Sequence, residues 1–136
     1  MSFRFVQPVR FAHVDAAGIV FYPRYFEMLN ATVEEYFAQE LGVSFAEMHL
    51  ERGLGVPTVS LNATFMAPSR LGDLLENRLT VDRVGRSSMD ITVTMVCGDS
   101  KRIEVKVTLV CMDVAAGKSV AWPDDMLPVP HDQMVV

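Results

Sequence analysis

Apolar and polar side chains alternate over residues 3–11, which is the pattern of a strand with one buried face. The apolar positions of this segment are Phe3, Phe5, Val9 and Phe11, and the opposite parity carries Arg4 and Arg10. From Tyr22 to Leu41 the apolar spacing changes to three and four residues, which predicts one amphipathic helix of about five turns. Pro23 suits the first turn of this helix and Gly42 suits its end. A shorter helix is expected at 44–52.

Alternation returns after Pro57 and continues to the last quarter of the chain. It predicts four more strands, at about 57–67, 74–85, 87–97 and 101–113. Short turns containing Gly85 and Gly98 separate the last three strands, so these should be antiparallel neighbours. The prolines of the tail after Ala115 argue against regular structure beyond a short edge strand.

One helix and about five strands with a single apolar face bury their apolar surface most economically when the sheet curls around the helix. The chain has 136 residues, of which 50% are apolar and 21% are charged, so it can build one core of useful size. The pattern therefore predicts a single α+β domain over residues 1–136, with an antiparallel five-stranded sheet, or a slightly larger one, around one long central helix.

Charge and composition exclude several classes of function. The formal net charge is −5, which argues against a general nucleic-acid binder because such proteins carry basic residues to neutralise phosphates. No apolar run reaches the length of about 20 residues that a membrane span needs, and the first residues lack the apolar core of a signal peptide. We expect a cytoplasmic protein without a membrane partner, in which Cys97 and Cys111 are reduced core residues.

The usual sequence motifs of several enzyme classes are absent. The chain has no serine-hydrolase elbow, no phosphate-binding loop, no dinucleotide fingerprint and no zinc-protease helix. Its three histidines, His13, His49 and His131, lie far apart in sequence with no paired cysteine nearby. We therefore expect no metal site and no cofactor.

The segment 13–23, between the first strand and the long helix, carries the candidate chemistry. Asp15 precedes Gly18 in a turn, and an aspartate in this position usually forms an Asx turn or a helix cap. However, the segment leads into the N-terminus of the helix that the sheet should bury. Amide groups at such a terminus lack intrahelical acceptors and can hold an anion or an oxyanion. The residues alone leave a structural and a catalytic role for Asp15 open.

Three sequence runs carry a resemblance to a known family. They are V-R-F-A-H-V-D-A-A-G-I-V-F-Y-P-R-Y-F at 9–26, G-V-P-T-V-S-L-N-A-T-F at 55–65 and G-R-S-S at 85–88. The first run is fairly specific, and together they resemble the hotdog-fold acyl-CoA thioesterases of the 4-hydroxybenzoyl-CoA thioesterase family, Pseudomonas type. The resemblance implies that Asp15 is the catalytic carboxylate and that the Tyr22 amide points at the thioester carbonyl. It also implies that Gly18 allows backbone and substrate to approach closely.

The resemblance also implies where the CoA moiety binds. Arg86 falls in the region that meets CoA phosphates, with Ser87 and Ser88 beside it. The chain departs from the family at His13, where a small polar or acidic residue is common, and at Asn30, where the 4-hydroxybenzoyl enzyme has an acidic residue. His13 could tune Asp15 or simply pack, and Asn30 bears on the acyl group that is accepted.

Residues 78–106 form a small basic island, with six Lys or Arg against four acids in a chain of net charge −5. Such an island suits phosphates. For Lys101, Arg102 and Lys106 we expect a solvated hairpin surface instead. On the strand at 57–67, Asn62 and Thr64 could line a cleft between subunits or face water.

A sheet around one helix leaves an outer face and a free edge, which small domains often cover with a second copy. We expect a homodimer and a dimer of dimers, that is, a homotetramer. The expected activity is hydrolysis of an aromatic, hydroxybenzoyl-like, or short-chain acyl-CoA, with CoA as part of the substrate. The alternatives are a thioesterase for acyl-carrier proteins and a module that binds acyl-CoA without catalysis.

Overall fold

A five-stranded antiparallel sheet surrounds one long helix in the computed structural model, which describes residues 2–131. The strand order in this sheet is β1-β4-β5-β6-β3, and a smaller sheet has the order β2-β7-β8. The strands are β1 Phe3–Pro8, β2 Leu54–Gly55, β3 Thr58–Phe65, β4 Leu74–Val84, β5 Ser88–Cys97, β6 Ser100–Val110, β7 Met112–Asp113 and β8 Lys118–Ser119. The predicted α+β architecture and the antiparallel order of the last three long strands are confirmed.

Helix α1 covers Arg24–Tyr36 and continues as a π-helical turn, Phe37–Leu41, which ends at Gly42 with φ of 77°. A second π-helical turn covers Glu47–Glu51, within the predicted second helix. The apolar stripe of α1 lies against the sheet and buries Tyr25, Met28, Leu29, Thr32, Val33 and Tyr36. The core therefore fills the space between this stripe and the inward face of the sheet.

The first strand ends earlier than its alternation predicts. It stops at Pro8, and Phe11–His13 form a 3-10 turn in which Phe11 is 80% exposed, so the expectation that Phe11 belongs to the buried parity is wrong. The Val9 amide still donates to Asp73 O at 2.8 Å, and the chain then turns at residues 10–13, where the His13 amide donates to Arg10 O at 2.9 Å. The helix likewise begins at Arg24 and not at Tyr22, because Pro23 is its N-cap.

The tail after β6 closes the domain. The predicted strand at 101–113 divides, because Met112–Asp113 pairs with Leu54–Gly55 in the small sheet. The expected short edge strand of the tail is β8. Trp122 and Met126 are buried beyond it, and the buried His131 accepts a hydrogen bond from the Val81 amide at 2.6 Å.

Strand β3 is an edge of the large sheet, with β6 as its neighbour. Its apolar side chains are exposed, with Val59 at 59%, Leu61 at 42% and Phe65 at 50%. An exposed apolar edge strand is unusual in a monomer because its unpaired backbone groups invite further pairing.

Candidate active site

A tight hairpin holds Asp15. The Asp15 amide donates to Ile19 O at 3.0 Å, the Gly18 amide donates to Asp15 O at 2.9 Å, and Val14 pairs with Val20. Gly18 has φ of 79°, a conformation that glycine adopts without strain. One carboxylate oxygen of Asp15, Oδ1, accepts the Ala17 amide at 2.8 Å, which is the Asx turn that the sequence suggested. The other oxygen, Oδ2, accepts no hydrogen bond from residues 2–131, and the side chain is exposed.

The hairpin leads directly into the start of α1, where one amide lacks an acceptor. The amides of the first helical turn are satisfied locally, by bonds from Arg24, Tyr25 and Phe26 to the carbonyls of Phe21, Tyr22 and Pro23 at 2.8–3.2 Å. In contrast, the Tyr22 amide has no acceptor within the described chain. This N–H group sits at the positive end of the helix dipole, so it can donate to an oxygen that develops negative charge.

An open, mostly apolar cavity of about 300 Å³ borders the Tyr22 side chain. Tyr25 of α1, Phe65 of β3 and Met66 also line it. The rings of Tyr22 and Phe65 meet edge to face, with centroids 6.1 Å apart. A cavity with aromatic walls beside a free amide suits an aromatic acyl group whose carbonyl must be oriented.

A second cavity of about 200 Å³ lies farther along α1, in the groove between the helix and β3. Leu29 and Val33 supply apolar walls, whereas Asn30 and Thr58 supply the polar side chains. Asn30 is exposed at this groove, so its amide is available to a ligand or to a second subunit.

The loop 66–73 packs against the Asp15 hairpin and bonds its backbone. Ser69 is central, because its carbonyl accepts the Val20 amide at 2.8 Å and its hydroxyl accepts the Tyr25 hydroxyl at 2.9 Å. Arg102 holds the same loop through an ion pair with Asp73 at 2.6 Å and a hydrogen bond to Pro68 O at 3.1 Å.

This ion pair corrects one expectation. The Arg102 side chain is only 13% exposed, so it does not belong to a solvated hairpin surface. A hydrogen bond from the Arg70 amide, together with the Arg102 guanidinium, lowers the pKa of Asp73. Sequence reasoning missed this contact because Gly72-Asp73 reads only as a turn, and nothing local identifies a partner 29 residues away.

His13 is a structural neighbour of Asp15 and not its partner. Its Nδ1 accepts the Arg10 amide at 2.8 Å, and it has no hydrogen bond to Asp15 in the described structure. Burial lowers the pKa of His13, Arg10 and Arg24 lower it further, and Glu27 opposes the shift. A neutral ring matches the geometry, since a protonated Nδ1 could not accept the amide.

The candidate CoA residues lie at the other end of the sheet. Arg86, Ser87 and Ser88 form the turn after β4, whereas the Asp15 hairpin contacts the loop before β4. Eleven residues of β4 separate these ends, a length of roughly 33 Å at strand rise. A single chain therefore does not bring Asp15 and Arg86 together.

In this turn the backbone carbonyls accept hydrogen bonds from the rest of the protein, whereas two backbone amides have no acceptor in the described structure. The carbonyls of Arg86 and Ser87 accept the amides of Trp122 at 3.1 Å and Cys111 at 2.7 Å. The amides of Arg86 and Ser87 have no acceptor among residues 2–131, and the Arg86 side chain is exposed. A Cβ at Gly85 would lie 2.6 Å from the Ser88 hydroxyl, so a larger residue at this position would require the Ser88 side chain to move.

Asn62 and Thr64 lie on the outer face of the sheet. They pair with Lys106 and Glu104, whereas the intervening residues of β6 are the ones buried against α1. Asn62 lines an outer groove of about 430 Å³ that also includes Lys106. These two residues are thus on the opposite face from the cavity beside Tyr22.

The two cysteines and His49 lie outside the candidate site and make packing or local backbone contacts. Cys111 is buried, and the partly buried Cys97 packs against the core. His49 is exposed and bonds Phe45 O through Nδ1 at 2.9 Å. No group of three or more metal-ligating side chains occurs in residues 2–131, and in the same range no helix has the length and apolarity to cross a membrane.

The model of the thioesterase-like superfamily matches residues 9–129. The chain belongs to this superfamily. A probable thioesterase from Bartonella henselae has a similar crystal structure, with a TM-score of 0.84 and 21% identity over 90% of this chain and 100% of that one. This likeness confirms the hotdog fold.

Two curated relatives add sequence similarity to the structural likeness. A 1,4-dihydroxy-2-naphthoyl-CoA hydrolase from Thermosynechococcus vestitus is 28% identical over 87% of this chain and 81% of its own length. A 4-hydroxybenzoyl-CoA thioesterase from Pseudomonas sp. strain CBS-3 is 36% identical over 51% of this chain and 50% of its own length. The chain is thus an enzyme of the thioester hydrolase class, and the resemblance inferred from the motifs is confirmed.

Proposed function

We propose that the enzyme hydrolyses an aromatic acyl-CoA to the free acid and CoA, with Asp15 as the catalytic carboxylate. The main support is the arrangement at the start of α1. Oδ2 of Asp15 accepts no hydrogen bond in the described structure, the Tyr22 amide that follows the hairpin has no acceptor there, and the Tyr22 side chain borders an apolar cavity of about 300 Å³. The two curated relatives, whose names specify aromatic CoA esters, support an aromatic acyl group.

Thioester chemistry explains why one carboxylate can suffice. A thiol has a pKa near 8.5, so a CoA thiolate can leave with little help, whereas an amine leaving group requires a proton. In one route the carboxylate attacks the carbonyl carbon, the C–S bond breaks, and water opens the resulting anhydride to acid and Asp15. In the other route the carboxylate takes a proton from the water that attacks. In both routes the Tyr22 amide donates to the oxyanion.

We further propose that the working site spans two copies of the chain. If β3 pairs with its own copy antiparallel about a two-fold axis, the Phe65 end of one strand meets the Thr58 end of the other. The Phe65 end borders Tyr22, and the Thr58 end lies where β6 pairs with Ser88. Such a dimer brings the Asp15 hairpin of one copy near the Arg86 turn of the other. It also covers the exposed apolar edge of β3.

The proposed function is tested by thiol release from a panel of benzoyl-, 4-hydroxybenzoyl-, phenylacetyl- and short aliphatic CoA esters. Asp15→Asn should lower kcat on the best ester by about 100-fold or more, the scale of a lost general base. The fold should persist, because an asparagine Oδ1 can still accept the Ala17 amide.

The matched control is Asp113→Asn, since Oδ1 of Asp113 accepts the Ala116 amide at 3.1 Å in a similar turn of the small sheet. This variant should retain wild-type kcat. The proposal fails if no ester in the panel is hydrolysed, or if Asp15→Asn and Asp113→Asn have equal activity. Preference for carrier-protein esters over CoA esters would identify the alternative thioesterase.

A further inference from the structure

A buried tryptophan from the C-terminal tail, Trp122, donates two hydrogen bonds to the turn 85–88. The backbone amide of Trp122 donates to Arg86 O at 3.1 Å, and its indole Nε1 donates to Ser88 O at 3.1 Å. Trp122 is 5% exposed, and its ring stacks on Phe37 with centroids 6.3 Å apart and an interplanar angle of 28°. The indole is thus held by the core on one side and holds the turn on the other.

These bonds fix the carbonyls of the turn and leave two of its amides without acceptors in the described structure. Ser87 O is engaged by the Cys111 amide, so all three carbonyls from Arg86 to Ser88 accept bonds from the protein body. The amides of Arg86 and Ser87 have no acceptor within the described residues, so both N–H groups are available to an anion. The exposed Arg86 guanidinium adds a charged donor beside them.

We propose that Trp122 is a positioning residue for CoA: through Arg86 O and Ser88 O it holds the turn so that Arg86 and the two free amides can meet a phosphate of the substrate. This inference rests on the proposed function, because it takes the turn to be the phosphate site. Trp122 itself touches no substrate. Its effect should therefore appear in the KM of substrates that carry the phosphates and not in kcat.

The test uses Trp122→Phe, which keeps a smaller aromatic ring against Phe37 and removes the Nε1 hydrogen bond. Hydrolysis is compared for an acyl-CoA and for the same acyl group on pantetheine, which lacks the phosphates. Loss of one hydrogen bond that orders the turn should raise the KM of the CoA ester roughly five-fold. The kcat of both esters and the KM of the pantetheine ester should stay within two-fold of wild type, on the order of experimental scatter.

Tyr36→Phe is the matched control, since Tyr36 also packs on Phe37 and its buried hydroxyl has no hydrogen-bond partner in residues 2–131. This variant should leave both KM values unchanged. A double variant with Arg86→Ala should be less than additive, because Trp122 acts through the turn that carries Arg86. If Trp122→Phe does not fold, the indole can be replaced by its benzothiophene isostere, which keeps the shape and lacks the N–H donor.

The inference is overturned if both esters change equally, if neither KM changes, or if the double variant is fully additive. A wild-type enzyme that hydrolyses both esters with the same KM would instead refute the phosphate role of the turn. Calorimetric titration with free CoA measures how the Trp122 hydrogen bond affects CoA affinity without requiring turnover. A five-fold weaker affinity for CoA in Trp122→Phe would support the inference even if no ester in the panel were hydrolysed. The lack of hydrolysis would refute only the proposed function.

Discussion

Replacing Arg102 by methionine should destabilise the enzyme and loosen the support of the Asp15 hairpin. The change keeps the length of the apolar stem and removes the ion pair to Asp73, at 2.6 Å, the bond to Pro68 O, at 3.1 Å, and the bond to the Ser100 hydroxyl, at 3.0 Å. Both side chains are shielded, with 13% of Arg102 and 27% of Asp73 exposed, so solvent screens this pair much less than a surface pair.

The size of the effect follows mainly from the two contacts that hold the loop 66–73, to Asp73 and to Pro68 O. A hydrogen bond that involves a charged group contributes about 1.5–3 kcal/mol, and the charged guanidinium donates both of these bonds. The carboxylate of Asp73 keeps its bond from the Arg70 amide, which limits the loss. We expect a loss of about 2–3 kcal/mol in the free energy of unfolding, which lowers Tm by about 6–12 °C for a chain of this size.

The pH dependence gives the prediction a second, independent readout. The pKa of Asp73 lies below its ordinary value of 3.8 in the folded protein, so the ion pair contributes its full stability above that value. The contribution is lost as the pH falls through the lowered folded pKa, where the carboxyl group is protonated. The stability difference between wild type and Arg102→Met should therefore be constant near neutral pH and shrink below about pH 4.

Urea unfolding at fixed protein concentration measures this difference, and Arg4→Met is the control. The ion pair of Arg4 with Glu76 is 3.5 Å long and its arginine is 64% exposed, so its loss should cost at most about 0.5 kcal/mol. The reasoning is refuted if Arg102→Met costs no more than Arg4→Met. A cost that stays the same when Asp73 is protonated would refute it as well.

Two further predictions concern the hairpin and the sheet edge. In His13→Asn, Oδ1 can accept the Arg10 amide without titrating, so the variant should lack the stability loss that wild type shows as the pH falls below 6.5. Because the pKa of His13 is lowered in the folded protein, its neutral ring contributes its full stability above pH 6.5, and this stability is lost as the pH falls through the folded pKa. Tm measured as a function of pH for both proteins provides the comparison. Leu61→Lys places a charge on the exposed edge of β3, so it should convert a dimer to monomers in sedimentation experiments and abolish activity, and a stable dimer would contradict the proposed pairing.

Local patterns in the sequence were enough to predict the elements and much of their order. The period-2 segments became the five long strands and the 3.6-residue stripe became α1, because burying one face requires those spacings. The turn at Asp15 and Gly18 was also predictable, since its hydrogen bonds join residues within four positions of each other. Periodicity did not show where an element ended, as when the turn at residues 10–13 leaves Phe11 outside β1 although its parity continues that of the strand.

Only the tertiary structure decided which residues share a site. The sequence grouped Asp15 with Arg86 through a resemblance, yet within one chain the sheet holds them at opposite ends of β4. The sequence could not assign Arg102 to Asp73 or Trp122 to the turn at Ser88, because these contacts join segments 29 and 34 residues apart. Periodicity reports which face of an element is buried, whereas the partner of a polar side chain depends on how the elements pack around the core.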